Sequence, residues 1–170
     1  MNSRFYTSNI ILAACLTLTV PASAHEPEKA ASMGMPVFVQ NIAPAAVDAA
    51  KVVDAFSGAI KTVKLDVAKN LLDPKVIILE SGGSERSRDE YMGGHAIADA
   101  NFLQNAKVQL RYRQAQAEGN FAWVATESDI MAKEDGKDIV LKSTETMVLK
   151  KSKAGWKIVH IHWSSRSKKS

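Results

Sequence analysis

Apolar and polar residues alternate along the second half of the chain, and this alternation predicts four long β-strands. They are expected at residues 107–118, 121–133, 138–151 and 156–166, and polar or glycine-containing turns separate them. The last strand contains Gly-Trp-Lys-Ile-Val-His-Ile-His-Trp-Ser-Ser, which has large residues at both parities. That pattern indicates a strand that is covered on both faces.

The first half of the chain has a helical period instead. Apolar residues recur at helical spacing over 45–72 until Asp73-Pro74 ends the pattern, and residues 76–79 then predict a short buried strand. Ser87 can cap a further helix with Glu90 three residues later. The residues that follow at helical spacing are Tyr91, His95, Asp99 and Phe102. Helices followed by a meander of strands predict an α+β fold.

The N-terminus predicts export. Residues 1–24 combine a single positive charge, an apolar run and small residues before Ala24, which is typical of a signal peptide cleaved after that residue. Cys15 follows Leu-Ala-Ala, so a lipoprotein signal is the alternative. We therefore expect a periplasmic or secreted protein without a membrane span, since no later uncharged stretch is long enough to cross a bilayer.

The remaining chain divides into three predicted parts. Residues 25–44 are proline-containing and aperiodic, which predicts a flexible leader; residues 45–166 form one domain, and residues 167–170 form a basic tail. The whole sequence has 22 Lys and Arg against 18 Asp and Glu. This small excess lies in short runs near a predicted turn and in the tail, and no basic face with stacking aromatics is evident. Nucleic acid is therefore not an expected partner.

The last two strands resemble the nuclear transport factor 2-like superfamily. The similarity rests on Glu145-Thr146, Gly155-Trp156, residues 158–160 and 162–164, and it is greatest to the SnoaL-like branch and to the association domain of calcium/calmodulin-dependent kinases. It implies a cone, in which a curved antiparallel sheet wraps around N-terminal helices and encloses a pocket for a small molecule. It also implies a homodimer that forms through the outer face of the sheet. Such relatives include isomerases, cyclases, dehydratases and oligomerisation hubs, so no single activity follows.

His95 and Asp99 are the predicted catalytic pair. They stand four residues apart on one helix, so the carboxylate can orient the imidazole and raise its basicity. Tyr91 adds a phenol one turn earlier. The alternative is a surface ion pair, or a buried histidine satisfied by its neighbour.

By analogy with the family, other residues are assigned to the pocket or to the interface. The concave side is expected to carry Trp123, Ala125, Glu127, Asp129, Glu145, Met147, Val159, Ile161 and Trp163. Among these, the predicted pocket residues besides Tyr91 are Trp123, Glu127, Glu145, Met147 and Trp163. Carboxylates in such a pocket are candidates for acid or base chemistry, unless Arg111, Arg113 or Lys142 pairs with them across the sheet. His160 and His162 are expected to face outward, toward the dimer partner.

No cofactor or metal is expected. The spacing of His160 and His162 is also used by metal ligands on strands, but no third ligand is evident nearby. His25, Met33 and Met35 are a weaker alternative as a copper site in the leader. Two hypotheses remain open: an exported proton-transfer enzyme acting on a small, largely apolar molecule, and a non-catalytic dimeric module that binds a ligand or a partner.

Overall fold

The computed structural model describes residues 38–134 and 136–168, without the side chain of Glu134. In chain order the elements are β1 (Val39–Ile42), a 3-10 helix (Pro44–Ala46), α1 (Val47–Lys61), α2 (Leu65–Leu71), β2 (Leu72–Glu80), β3 (Gly83–Glu85), α3 (Arg88–Met92), α4 (His95–Leu103), β4 (Lys107–Glu118), β5 (Phe121–Glu134), β6 (Lys137–Ser152) and β7 (Gly155–Ser167). The predicted signal peptide, Cys15 and the candidate copper ligands His25, Met33 and Met35 lie outside the described residues. Within residues 38–134 and 136–168, no helix has the length and hydropathy needed to cross a bilayer.

The seven strands in the described part of the chain belong to one sheet with the order β1-β4-β5-β6-β7-β2-β3. The four predicted long strands are confirmed as the antiparallel meander from β4 to β7. The outer pairs differ, because β1 lies parallel to β4 and β2 lies parallel to β7. The predicted α+β fold, with a curved sheet and N-terminal helices, is confirmed.

Helix α1 covers one face of this sheet. Ala49, Val53, Phe56 and Ile60 recur every three or four residues and are almost completely buried, so a single stripe of α1 enters the core. Across from it the sheet contributes a second buried set. Its members are Ala115, Ala122, Val124, Met147, Leu149, Ile158 and Ile161. The core therefore lies between α1 and the concave side of the meander.

The helical period over 45–72 forms two helices, not one. Helix α1 ends at Lys61, and the Lys64 amide donates to the Ala59 carbonyl at 2.8 Å, as in a helix-terminating Schellman turn. Val63 has a φ of 57° in this turn. That left-handed conformation is unfavourable for a β-branched residue, and no glycine marks the position in the sequence.

The cap predicted at Ser87 is confirmed. Its hydroxyl accepts a hydrogen bond from the Glu90 amide at 3.1 Å, and the Glu90 carboxylate accepts one from the Arg86 amide at 2.7 Å. After Gly93-Gly94 a separate helix, α4, begins at His95. His95 and Asp99 therefore share one helix, as predicted.

Two elements were not predicted. Strand β1 lies inside the segment expected to be a leader, and β3 lies between the short strand predicted at 76–79 and the cap at Ser87. Strand β7 also departs from strict alternation, because a register shift between Val148 and Leu149 of its partner puts both Ile158 and Ile161 into the core. The expectation that Val159 belongs to the concave set is therefore wrong, since Ile158 takes that place.

Candidate functional site

A cavity of about 390 Å³ lies between the concave side of the sheet and the helices α1 and α4. Its size is at the small end of the range of about 300–1,000 Å³ for ligand pockets. Most of its wall is apolar, with Phe56, Ile60, Phe102, Leu103, Val108, Leu110, Ile130, Leu141 and Trp163. Two groups of ionisable side chains contribute to this wall. The first group lies at β2 and α4, and the second lies at β4 and β6.

The first group surrounds His95 at the start of α4. Its Nδ1 lies 2.5 Å from Oε1 of Glu85 on β3, and its Nε2 lies 3.3 Å from Oε2 of Glu80 on β2. The Asp99 carboxylate, one turn along α4, is 3.7 Å from the same Nε2. Asp99 and Glu80 line the cavity, and His95 and Glu85 lie behind them. The closest partner of His95 is thus Glu85, not the predicted Asp99.

Tyr91 connects this group to the core. Its hydroxyl donates to Oδ2 of Asp99 at 2.8 Å, and its ring, with no exposed surface, lies 6.0 Å from the rings of His95 and Trp163. Burial and the neighbouring Asp99 carboxylate raise the pKa of Tyr91 well above its ordinary value. Tyr91 is therefore a hydrogen-bond donor that orients Asp99.

Burial also shifts the acids of this group. It raises the pKa of Asp99, and the hydrogen bond from Tyr91 and the charge of His95 offset only part of that effect. The pKa of Glu80 is raised by burial and then by the charge of Asp99. For His95, burial opposes protonation, but the hydrogen bond with Glu85 and the surrounding carboxylates outweigh it, so its pKa is raised. The arrangement favours a positively charged imidazole beside carboxyl groups that take up a proton at higher pH than ordinary Asp and Glu side chains.

The same atoms also fall within reach of a metal ion. One ligand atom each from Glu80, His95 and Asp99 lie within 4.8 Å of one another, so a divalent cation would find three ligands here. In the structure these atoms instead contact each other, with the imidazole as the cationic partner of the carboxylates.

The second group is built around Glu145 on β6. Its Oε2 accepts a hydrogen bond from the indole Nε1 of Trp163 at 2.8 Å. Glu145 is half-buried and lines the cavity. Burial raises the pKa of Glu145, and the bond from Trp163 and the charge of Arg113 counteract only part of this effect. Glu145 is thus a desolvated carboxyl group on the wall opposite α4.

Arg113 on β4 is nearly buried beside this group, and its charge is already paired. Nη1 of Arg113 contacts the carboxylate of Asp54 on α1, and its Nε donates to the Thr126 hydroxyl at 3.3 Å. The Asp54 side chain is 60% exposed, so the ion pair runs from the buried cavity wall to the surface.

The predicted pocket residues occupy different positions relative to the cavity. Glu145 and Trp163 line the cavity, and Tyr91 lies directly behind it. Met147 is on the concave side as predicted, but it is packed completely in the core.

The parity predicted for β5 is wrong. Ala122, Val124 and Thr126 are buried on its core face, so Trp123 and Glu127 lie on the opposite face, and Trp123 is 37% exposed. Ala125 and Asp129 share that outer parity, and Asp129 is buried there in its ion pair with Arg111 at 2.6 Å. The analogy with the family gives the wrong parity for this strand, and alternation alone does not correct it, because both parities of β5 carry apolar residues.

His160 and His162 lie outside the core cluster, and the outward orientation predicted for them agrees with their exposure. His160 contacts the Ile77 carbonyl through Nδ1 at 2.9 Å. Their parallel neighbours on β2 are Ile77 and Leu79, both exposed. Their role in an interface remains a prediction.

Several site residues were missed from the sequence. Glu80 and Glu85 come together with His95 only through the β2–β3 hairpin, and Arg113 and Thr126 enter the cavity from neighbouring strands. The only sequence signal for the first pair was the Ser-Gly-Gly turn between them. It predicts a reversal of the chain, which brings two flanking carboxylates to one side.

Comparisons with known proteins agree on a family. Residues 49–167 match the sequence model of the SnoaL-like domain. A crystal structure named "putative ketosteroid isomerase", from Shewanella frigidimarina, is 30% identical to this chain with a TM-score of 0.67; the match covers 73% of this chain and 99% of that protein. No curated protein matches the chain.

Two further structures are similar in fold alone, given their lower identity. The CaMKII hub of S. rosetta is 24% identical with a TM-score of 0.63, over 73% of this chain and 98% of the hub. A nuclear transport factor 2-like superfamily protein from Salmonella enterica is 19% identical with a TM-score of 0.63, over 75% of this chain and 96% of that protein.

Proposed function

Because this chain belongs to the SnoaL-like domain family, within the fold of the nuclear transport factor 2-like superfamily, we propose that it is a proton-transfer enzyme for a small, largely apolar molecule. The observation that carries the proposal is the pair of carboxyl groups, Asp99 and Glu80, in the wall of a mostly apolar cavity. Burial raises the pKa of both, and a carboxyl group works best as a general base when its pKa approaches the working pH.

In this proposal Asp99, Tyr91 and His95 have separate roles. Asp99 is the base, since it lines the cavity and Tyr91 holds one of its oxygens. It removes a proton from a carbon next to a carbonyl group, the C–H electron pair moves into the enolate, and the carboxyl returns the proton to a different carbon. His95 is a positioning residue in this proposal, because its charge stabilises the carboxylates from behind.

The Shewanella relative supports this class of reaction, because its name describes it as an isomerase. An isomerase that moves a double bond needs one base, an apolar pocket and no external co-reactant. The cavity supplies the first two.

The test is isomerisation of cyclohex-3-en-1-one to its conjugated isomer, followed by ultraviolet absorbance. Asp99→Asn keeps the shape of the side chain but cannot accept the proton. We expect it to lower kcat/KM by about 10²–10⁴, which is the usual contribution of a general base. Glu127→Gln is the matched control, because Glu127 lies on the outer face. An Asp99→Asn variant as fast as the parent would contradict the assignment.

We also propose that the chain forms a homodimer through the outer face of its sheet. Ile77, Leu79 and Trp123 are exposed there, and His160 and His162 lie between them on β7. Exposed apolar side chains on one sheet face are typical of an interface. Light scattering at micromolar concentration should give a dimer, and Ile77→Lys should weaken it, unlike Val47→Lys at the start of α1. A parent protein that is monomeric would refute this proposal.

Export from the cytoplasm, with cleavage after Ala24, is the third part of the proposal. It is supported by the sequence of residues 1–24 alone. The intact mass of the protein recovered from the host's periplasm tests it. A chain beginning at His25 is expected, whereas a lipidated chain beginning at Cys15 would favour the alternative.

A further inference from the structure

We infer that the cavity selects an apolar molecule that carries a protonated amine. This inference rests on the proposed function, because it names the substrate class of the same cavity. The observations behind it are the balance of charge in the wall, the position of Glu145 and the aromatic rings that surround it.

Carboxyl groups outnumber cationic groups in the cavity wall. The lining residues include four acids: Asp54, Glu80, Asp99 and Glu145. Arg113 is paired with Asp54, Lys61 is exposed at the end of α1, and His95 behind the wall contacts both Glu80 and Asp99, so these cations leave Glu145 without an ion-pair partner among the described residues. A carboxyl group of this kind in an apolar wall favours a ligand that brings its own positive charge.

Glu145 is in no ion pair. Within residues 38–134 and 136–168, no Lys, Arg or His nitrogen lies in ion-pair distance of its carboxyl group, and its hydrogen-bonding neighbours are the neutral indole N–H of Trp163 and the Thr126 hydroxyl. The Arg113 side chain lies nearby, but its Nη1 contacts the Asp54 carboxylate and its Nε donates to the Thr126 hydroxyl. An ammonium group in the cavity would satisfy Glu145 without disturbing that ion pair.

Aromatic rings lie on the same side of the cavity as Glu145. Trp163 stacks with Phe56 at 6.5 Å between ring centres, and Tyr91 packs 6.0 Å behind Trp163. The face of an aromatic ring attracts a cation, most strongly in tryptophan, so a carboxyl group beside an indole is a favourable environment for an alkylammonium ion. The hydroxyls of Thr126, Ser128 and Ser143 also line the cavity, and they can accept hydrogen bonds from the remaining N–H groups of the ammonium ion.

A ligand with a carboxylate is disfavoured by the same geometry. It would approach Glu145, Glu80 and Asp99 without a free buried cation to receive it, and like charges close together in a site of low dielectric repel strongly. The preference should therefore follow the order amine, alcohol, acid for one apolar skeleton.

Three ligands that share a ring system test this order. The mature full-length protein is titrated calorimetrically at pH 7 with 1-naphthylmethylamine, 1-naphthalenemethanol and 1-naphthoic acid. We expect the amine to bind about tenfold or more tightly than the alcohol, which corresponds to a difference of about 1.4 kcal/mol, and the acid to bind least tightly. Glu145→Gln should remove most of the amine's advantage and leave the alcohol's affinity unchanged. Glu127→Gln, on the outer face, should keep the parent's preference.

The inference is overturned if the alcohol or the acid binds the parent as tightly as the amine, or if none of the three binds at millimolar concentration. The ligand series on the parent decides this without any variant, so a Glu145→Gln chain that fails to fold does not obscure it. The proposed function fails separately, when Asp99→Asn leaves the isomerisation rate unchanged although the amine preference is present. Loss of the amine preference with an intact effect of Asp99→Asn rejects this inference alone.

Discussion

The Tyr91→Phe variant isolates the hydrogen bond that orients the proposed base. It removes the hydroxyl that donates to Oδ2 of Asp99 at 2.8 Å, and the ring that remains fills the same buried volume. A hydrogen bond to a charged group contributes about 1.5–3 kcal/mol. We expect the free energy of unfolding at pH 7 to fall by that amount, about 1.5–3 kcal/mol, and the melting temperature to fall by about 3–12 °C at about 2–4 °C per kcal/mol.

Guanidinium unfolding, followed by tryptophan fluorescence, measures this loss. The matched control is Tyr112→Phe, whose hydroxyl donates to the neutral Oε1 of Gln114 at 2.9 Å. A neutral pair contributes about 0.5–1.5 kcal/mol, so the control should lose less stability.

The same variant makes a second, independent prediction about pH. The Tyr91 hydrogen bond lowers the pKa of Asp99, so its removal should raise that pKa further. Asp99 accepts a proton only above its pKa, and the rising limb of the pH–rate profile should therefore move to higher pH in Tyr91→Phe. A limb that stays in place or moves to lower pH, or a stability loss no larger than that of Tyr112→Phe, would refute this account of the site.

Three further predictions concern the scaffold around the site. Val63→Gly should stabilise the protein by about 1 kcal/mol, because glycine adopts the left-handed φ of 57° without strain; a lower denaturation midpoint would contradict this. Ser87→Ala should cost about 1 kcal/mol by removing the cap on the Glu90 amide, and Ser87→Gly should cost only a few tenths, both measured by thermal unfolding. The raised pKa of His95 means that its contribution to stability is complete below about pH 6.5 and is lost as pH rises through its folded value. As pH rises from about 6.5 through the folded pKa of His95, the guanidinium midpoint should therefore fall in the parent and fall less in His95→Gln. An equal dependence of the midpoint on pH in the two proteins would count against the interpretation.

The candidate site shows what spacing along one element can establish. His95 and Asp99 were predicted to lie on one face of a helix, and α4 places them so, because i to i+4 neighbours meet on any helix. The partners that define their chemistry, Glu80 and Glu85, lie on a hairpin earlier in the chain. No local pattern indicated that this hairpin packs against α4.

The strands show what alternation along one element does not establish. Alternation located β4 to β7 to within a few residues, but it left the buried face of β5 undecided, because both parities carry apolar side chains. The irregularity in β7 could not be anticipated either, since a shift of register depends on the neighbouring strand and not on the strand's own residues.

The sequence by itself determined most of the local elements, the α+β class and the family, because hydrophobic periodicity, the Ser87 cap and the terminal Trp and His pattern are properties of short segments. The tertiary structure alone decided which side chains meet in the cavity. Glu145 and Trp163 meet across a β6–β7 pairing, and Glu80, Glu85 and His95 meet where a hairpin reaches a helix. Burial then shifts the pKa values of these groups, and burial is a property of the packed fold and not of any segment.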